Sequence, residues 1–459
     1  MFEQIGDFII KAENFIGGYP LLILLVGGGI YFMVYSKFTP LFYFKHSIQV
    51  LSGKYDTQTH TQGDISRFEA LASSLAATVG MGNISGVAIA ITTGGPGALF
   101  WMWISAMVGM ATQFFTCSLA VMYRGKDTLG QVQGGPMYVI TEGLGKKWHF
   151  LAVFFCVAGL GGSLPLFQAN QLTEILRGMI FIPAGWVDAN NHFQPDLIVG
   201  ITLALMTSFI IFGGIKRIAK MATALVPLMV ILYVFCVLSI ILMNFQQIPA
   251  CVALIFHDAF TGQAVAGGAI GTVMIIGVRR AAFSNEAGIG TTPMMYGATK
   301  SQEPIREGIA SMMNPFVDTI VVCSMTALAI LITNTWVGAH KNESIIITAK
   351  AFSSLPYIGL PILIMCVLIF ALTTLFSYSY YGMKCVSFLF GAKYAHYYNY
   401  FYVFSIVVGA VASVQVAVST IGLMYALMAI PTVFSAFYLS PKVMKEAKIY
   451  FQKINRIKN

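Results

Sequence analysis

Leu75-Ala-Ala-Thr-Val-Gly-Met-Gly-Asn-Ile-Ser-Gly86 lies inside an apolar segment that runs from about Phe68 to Thr93. Such a segment is long enough to cross a bilayer, which takes roughly 20 apolar residues as a helix. Its centre makes a poor helix, because Gly80, Gly82 and Gly86 stand among Thr78, Asn83 and Ser85. Each glycine weakens a helix interior by roughly 0.5–1 kcal/mol relative to alanine. A break inside lipid survives only where the freed backbone groups face protein or a wet cavity. The stretch therefore predicts a discontinuous helix at mid-depth, where bare peptide groups and small hydroxyls can hold a small ion and a solute.

The rest of the chain supplies the membrane setting. Of 459 residues, 57% are hydrophobic and 10% charged, whereas a soluble domain carries about 25% charged residues. The fold class expected is an all-α polytopic membrane protein. No signal peptide is expected, since Glu3 and Asp7 fall in the first eleven residues and no small-residue cleavage site follows. Cys117, Cys156, Cys236, Cys251, Cys323, Cys366 and Cys385 show no C-x-x-C spacing, and buried thiols are expected rather than disulfides or metal ligands.

Apolar runs read with their turn signals give eleven spans, at about 19–36, 68–94, 97–123, 149–176, 197–214, 221–244, 264–298, 307–333, 357–381, 399–417 and 420–438. Between the first two, Leu41 to Tyr55 reads as an amphipathic helix on the membrane surface. Alternating the loops puts nearly all lysines and arginines on one side. Lys11, Arg177, Lys341 and Lys350 fall opposite, and Arg279 and Arg280 fall inside a span. Positive charge marks the cytoplasmic face, so the N-terminus is expected outside and the C-terminus inside. The same placement accounts for the net charge of +9 through the anionic leaflet, with no nucleic-acid partner.

Without its first span the chain divides as five plus five. Residues 1–60 then hold a peripheral span and the surface helix, 61–245 one repeat, 246–440 a second of inverted orientation, and 441–459 a basic cytoplasmic tail. Each repeat opens on a glycine-rich helix. The second reads Gly267-Gly-Ala-Ile-Gly-Thr-Val-Met-Ile-Ile-Gly-Val-Arg-Arg-Ala-Ala-Phe-Ser-Asn-Glu-Ala-Gly-Ile-Gly-Thr-Thr-Pro293, with its break expected within Gly277–Asn285. Arg279, Arg280 and Glu286 in a span are costly unless paired or near water. They read as functional, or else as a structural Arg–Glu pair near the cytoplasmic surface. Paired broken helices are the best sequence pointer to a transporter's central site.

Three stretches carry a resemblance over essentially the whole chain: Gly94-Gly-Pro-Gly-Ala-Leu-Phe-Trp-Met-Trp-Ile-Ser-Ala-Met-Val-Gly-Met110, Gly134-Gly-Pro-Met-Tyr138 and Phe283-Ser-Asn-Glu-Ala-Gly-Ile-Gly290. They resemble the sodium:alanine/glycine symporter family. The resemblance implies a prokaryotic inner-membrane carrier that takes up alanine or glycine with Na⁺, on the ten-helix inverted repeat of LeuT-type symporters. Thr78-Val-Gly-Met-Gly-Asn83 is similar to the unwound first core helix of that fold. By position it implies that Thr78, Gly80 and the amides of Met81 and Gly82 meet the substrate, with the carboxylate on those amides. The carbonyls of Ala76 and Val79 would meet Na⁺, with hydroxyls from Thr373 and Thr374, a pair that read without the resemblance would bond back to its own helix or to a neighbour. Asn83 reads equally as a ligand or as a brace for the break. Gln168, Gly277, Phe283, Asn285 and Tyr378 complete the expected substrate set; Gln168 reads as a substrate partner or as bonded to a neighbouring helix, and Phe283 and Tyr378 as walls or as packing. Many family members have Trp where Tyr378 stands, which leaves side-chain size selectivity open. A monomer is expected.

Other classes fit less well. Ser85 matches an embedded nucleophile only in outline, because a positioned base is required and every histidine falls in a loop or at a span end. A channel would need a repeated filter or rings of charge. A proton-coupled carrier or an exchanger of the same fold remains the alternative, with Asp64, Glu69 and Glu286 as its proton carriers.

Overall fold

The computed structural model describes residues 2–55, 64–188, 192–261, 270–339 and 344–458. The chain starts with α1 (Phe2–Ile16) and α2 (Tyr19–Tyr35), a pair bent by 41°. The surface helix α3 (Phe44–Leu51) follows, shorter than expected, with His46, Ser47 and Val50 turned inward. The break expected after Leu75 is present. α4 (Arg67–Thr78) ends, and α5 (Gly82–Gly94) resumes at 50° to it.

α4 begins where Ser66 and Glu69 satisfy each other: Glu69 N donates to Ser66 Oγ at 3.2 Å and Ser66 N to Glu69 Oε2 at 2.6 Å. This capping box fixes the start and leaves the glycines to decide the end. α6 (Ala98–Met122), α7 (His149–Gly162) and α8 (Leu166–Leu176) come next, the last two divided at Pro165. α9 (Phe193–Ile211) and α10 (Gly214–Met243) close the first half, and α11 (Ile248–Thr261) follows them.

The second half holds α12 (Ile270–Asn285) and α13 (Thr291–Tyr296), separated by the second break. α14 (Pro304–Ile332), α15 (Ser344–Phe352), α16 (Gly359–Phe390), α17 (Tyr398–Val411) and α18 (Val414–Lys458) follow. Residues expected as a separate basic tail therefore continue the last helix. The start of the expected span 264–298 lies partly outside the described residues.

Among the described residues, seven helices are long and apolar enough to cross a membrane, or nine if each bent pair counts as one span. Their burial separates centre from rim. α6 is 83% buried over its most apolar window and α10 only 33%, so α6 is the axis of packing and α10 faces outward. It is α6 that touches α2, α12 and α14, while α10 lies against α4 and α16. Exposed Leu205, Phe209, Ile231, Leu242 and Phe404 form an apolar outer surface. A soluble protein would not carry one so large; in a multi-pass membrane protein it faces lipid.

Candidate functional site

The first break is held open by one side chain. Val79 is extended, and Asn83 folds back so that its Oδ1 accepts from Gly80 N at 2.7 Å. The Asn83 amide donates in turn to the Asp318 carbonyl at 3.0 Å and to Asp318 Oδ1 at 2.8 Å. Asn83 is fully buried, and its polar atoms are occupied by protein, which is how a brace behaves. Beyond it, Met81 and Gly82 begin a new helix, whose first amides have no partner within the helix and attract an anion.

α16 crosses this break. The Thr374 hydroxyl lies 3.1 Å from the Ala76 carbonyl and 2.9 Å from that of Phe370. A Cβ on Gly80 would fall 2.5 Å from the same hydroxyl oxygen, so only glycine lets α16 approach this closely. Thr373 hydrogen-bonds back along its own helix, to the carbonyls of Ile369 at 2.9 Å and Phe370 at 3.1 Å. Ala76, Val79, Thr373 and Thr374 are all buried, and of the two hydroxyls it is that of Thr374 that reaches the Ala76 carbonyl, an oxygen pair of the kind a hard cation prefers.

α12 closes the other side. A Cβ on Gly82 would meet Ser284 Cα at 3.2 Å and the Phe283 ring at 3.7 Å. The Phe283 ring stands edge-on to Phe167, with centroids 4.9 Å apart, and 5.9 Å from Tyr425. Next to Phe167, Gln168 is buried, and its Oε1 has no hydrogen-bond partner among the described residues. A buried amide oxygen without a donor costs about 1–3 kcal/mol. Thr78 bonds back to Ser74 O at 3.1 Å.

The second break differs from expectation. α12 is helical through Asn285, so the break is not within Gly277–Asn285. It falls at Glu286–Gly290, where Glu286 (φ 54°), Gly288 (85°) and Gly290 (111°) adopt left-handed backbone. A Cβ on Gly277 would meet the Ala98 carbonyl at 2.5 Å and Trp101 Cβ at 2.7 Å. That glycine therefore serves the contact of α12 with α6 and does not join the group around Gly82. Asn285 is likewise committed to protein, donating to Thr319 Oγ1 and accepting from Ala287 N, both at 2.9 Å. The Tyr378 ring is buried, but its hydroxyl donates to Glu286 Oε1 at 2.5 Å, which Tyr425 also reaches at 2.8 Å. Thr291 donates to the other oxygen. The Glu286 carboxylate thus ties the second break to α16 and α18, and is not paired with Arg279 or Arg280.

One acid is invisible to the motif pattern. Asp318 is fully buried, and besides Asn83 it accepts from Ser284 at 2.7 Å and Thr319 at 2.8 Å. It joins both broken helices to α14. An ionisable residue inside the apolar run Phe316–Cys323 was the available signal.

The model of a family described as the sodium:alanine symporter family matches residues 2–459. The sodium/alanine symporter AgcS of Methanococcus maripaludis is 36% identical, over 99% of both chains. An uncharacterised transporter of Haemophilus influenzae is 38% identical over 98% of this chain and 97% of its own. A probable sodium/glutamine symporter, GlnT of Bacillus subtilis, is 34% identical over 98% and 91%. Among solved structures, MhsT in complex with L-phenylalanine superposes with a TM-score of 0.59 over 85% of this chain and 99% of its own, at 13% identity. That likeness shows a shared LeuT-type fold.

Proposed function

The chain belongs to the sodium:alanine symporter family, and from that premise we propose that it carries a small neutral amino acid, alanine or glycine, into the cell together with Na⁺. As a family of transporters, its members are symporters and not enzymes. The proposal has eleven spans, one peripheral and ten in two inverted repeats of five. It places the protein as a monomer in a prokaryotic inner membrane, N-terminus outside and C-terminus cytoplasmic. The division at 1–60, 61–245, 246–440 and 441–459 belongs to the same proposal.

In this mechanism Na⁺, as cargo, sits between Ala76, Val79, Thr373 and Thr374. The substrate carboxylate meets the amides of Met81 and Gly82 beside Thr78 and Gly80. Gln168 accepts from the ammonium, and Phe283 walls the small side chain. Asn83, Asn285 and Tyr378 act as supports of the two breaks. Na⁺ favours the outward-open state and orders the first break; the amino acid then permits rocking and inward release. Each ligand prefers the same state, so each must raise the other's affinity equally.

The observation that carries this reading is the 3.1 Å approach of the Thr374 hydroxyl to the Ala76 carbonyl, over a break that faces Phe283 and Ser284. It supports an oxygen-lined cation position beside the first amides of a resumed helix. The buried carboxylates of Glu286 and Asp318 favour one alternative, a proton-coupled or exchanging carrier of the same fold; a channel has no comparable support. The deciding experiment is uptake of radiolabelled alanine into proteoliposomes, with a Na⁺ gradient or a pH gradient alone and with glycine and glutamine as competitors. Accumulation driven by Na⁺ is expected, with glycine competing. Accumulation driven only by the pH gradient would replace the proposal with its alternative.

A further inference from the structure

On the proposed outer side of Phe283, two arginines and one glutamate share a narrow cleft that also touches Gly422 and Tyr425. The glutamate comes from the peripheral helix. Glu13 Oε1 lies 3.2 Å from Arg279 Nε. Two glycines make room for that carboxylate: a Cβ on Gly17 or Gly422 would stand 3.3 or 3.2 Å from the same oxygen. Arg279 is spent on the end of α1: that same Nε donates to Gly17 O at 3.0 Å, and the terminal nitrogens reach Glu13 O at 3.1 Å and Asn14 Oδ1 at 3.3 Å. Glu13 thus faces Arg279 as an ion pair, and it is the one acid lining a cleft that also holds Arg280.

Arg280 is left over. Among the described residues it has no hydrogen bond and no ion pair, and its Nε is enclosed without a partner. Its guanidinium stands 6.0 Å from the centroid of the Phe283 ring, a weak contact at the limit of cation–π attraction. Glu286, the next acid along the chain, has both oxygens taken by Tyr378, Tyr425 and Thr291. Two cations and one anion in the cleft leave one positive charge uncompensated. An intramembrane charge of this kind is costly and marks a solute path.

We infer that Arg280 is an anion-receiving group on the outer approach, which takes the carboxylate of the incoming amino acid before it reaches the unwound helix. The inference rests on the transport reading above. The shared chemistry is that of a monovalent anion, and the substrate's own carboxylate is the one that must pass. Water-sized space in the cleft amounts to about 10 Å³, roughly one water. The arginine therefore acts when the cleft is wider than it is here, where it stands over Phe283. The planar fork of a guanidinium suits a carboxylate, in two parallel hydrogen bonds.

The test is alanine uptake by the full chain in proteoliposomes under a Na⁺ gradient, in chloride and in gluconate. Arg280→Gln should raise the half-saturating alanine concentration roughly tenfold, the size of a lost charge-assisted hydrogen bond. The maximal rate and the half-saturating Na⁺ concentration should hold, and wild-type uptake should be the same in both salts. Arg280→Met keeps the length without the charge and gives the same rise should the glutamine variant fail to assemble. An unchanged half-saturating alanine concentration in the assembled variant overturns the inference. A chloride requirement of the wild type that Arg280→Gln removes also overturns it, by assigning the site to a halide. Were wild-type protein to accumulate no alanine, the transport reading itself would fall, which is a separate result.

Discussion

Thr374 offers the sharpest test of the cation position, because its hydroxyl reaches across to the Ala76 carbonyl at the end of α4. Thr374→Ala removes that oxygen and leaves the helix. The half-saturating Na⁺ concentration for uptake should rise roughly tenfold, from the loss of one such contact, and Thr374→Ser should restore it. A Na⁺ dependence unchanged in the alanine variant would remove Thr374 from the site. Gly82 tests the substrate position in the same way. A Cβ there already meets Ser284 Cα at 3.2 Å, so Gly82→Leu must push the broken helices apart or fill the space between them. Uptake should be abolished in protein that still inserts; normal alanine transport by Gly82→Leu would show the site to be elsewhere. Both residues were legible as candidates from their motifs. Asp318 was not, since a lone acid in an apolar run reads the same whether it meets donors or faces a cavity. Only the fold brings Asn83 and Ser284 to it.

At the scale of elements, the two breaks are built differently, and this explains why one was placed correctly and the other was not. The first depends on glycines crowded together, which sequence shows directly. The second depends on three left-handed residues, one of them Glu286, in a position that L side chains adopt at a cost. Gly277 looked like a break because a glycine inside a span reads alike whether it bends a helix or admits a neighbour. Here it admits α6. Gly290 shows what the second break requires. At φ 111° a Cβ would lie 2.7 Å from both Phe155 Cε2 and Thr432 Oγ1. Gly290→Ala should therefore lower the melting temperature in detergent clearly, through both strain and overpacking, the latter alone worth about 1–3 kcal/mol. Gly86 is the control: it is helical, and a Cβ there meets nothing within 4 Å. Gly86→Ala should hold or raise the melting temperature, by up to about 1 kcal/mol in helix propensity. Equal melting temperatures for the two variants would mean that the second break tolerates ordinary side chains.

Across the whole molecule, two long-range arginine contacts lie on the basic face. Arg67 Nε meets Glu307 Oε1 at 2.7 Å, with both side chains buried, and so ties the start of α4 to α14. Arg124, at the end of α6, donates to the carbonyls of Gly297, Ser301 and Thr299 just beyond α13. Both broken helices are thus tethered on the side that the positive charges assign to the cytoplasm. The ends of the chain's connecting loops allow that assignment to be measured. Trp186, between α8 and α9, is 72% exposed, and Leu129, between α6 and α7, is 66% exposed. All seven native cysteines are buried, so an introduced thiol will be read against a low background. A membrane-impermeant maleimide should label Trp186→Cys in intact cells, and Leu129→Cys only after permeabilisation. The opposite pattern would invert the topology, and with it the side from which Arg280 receives its anion. Labelling of both in intact cells would mean that these loops share one face, which no arrangement with an odd number of crossings between them permits. The charge pattern makes the first result the expected one, because basic residues confined to one set of short loops are what fixes orientation during insertion.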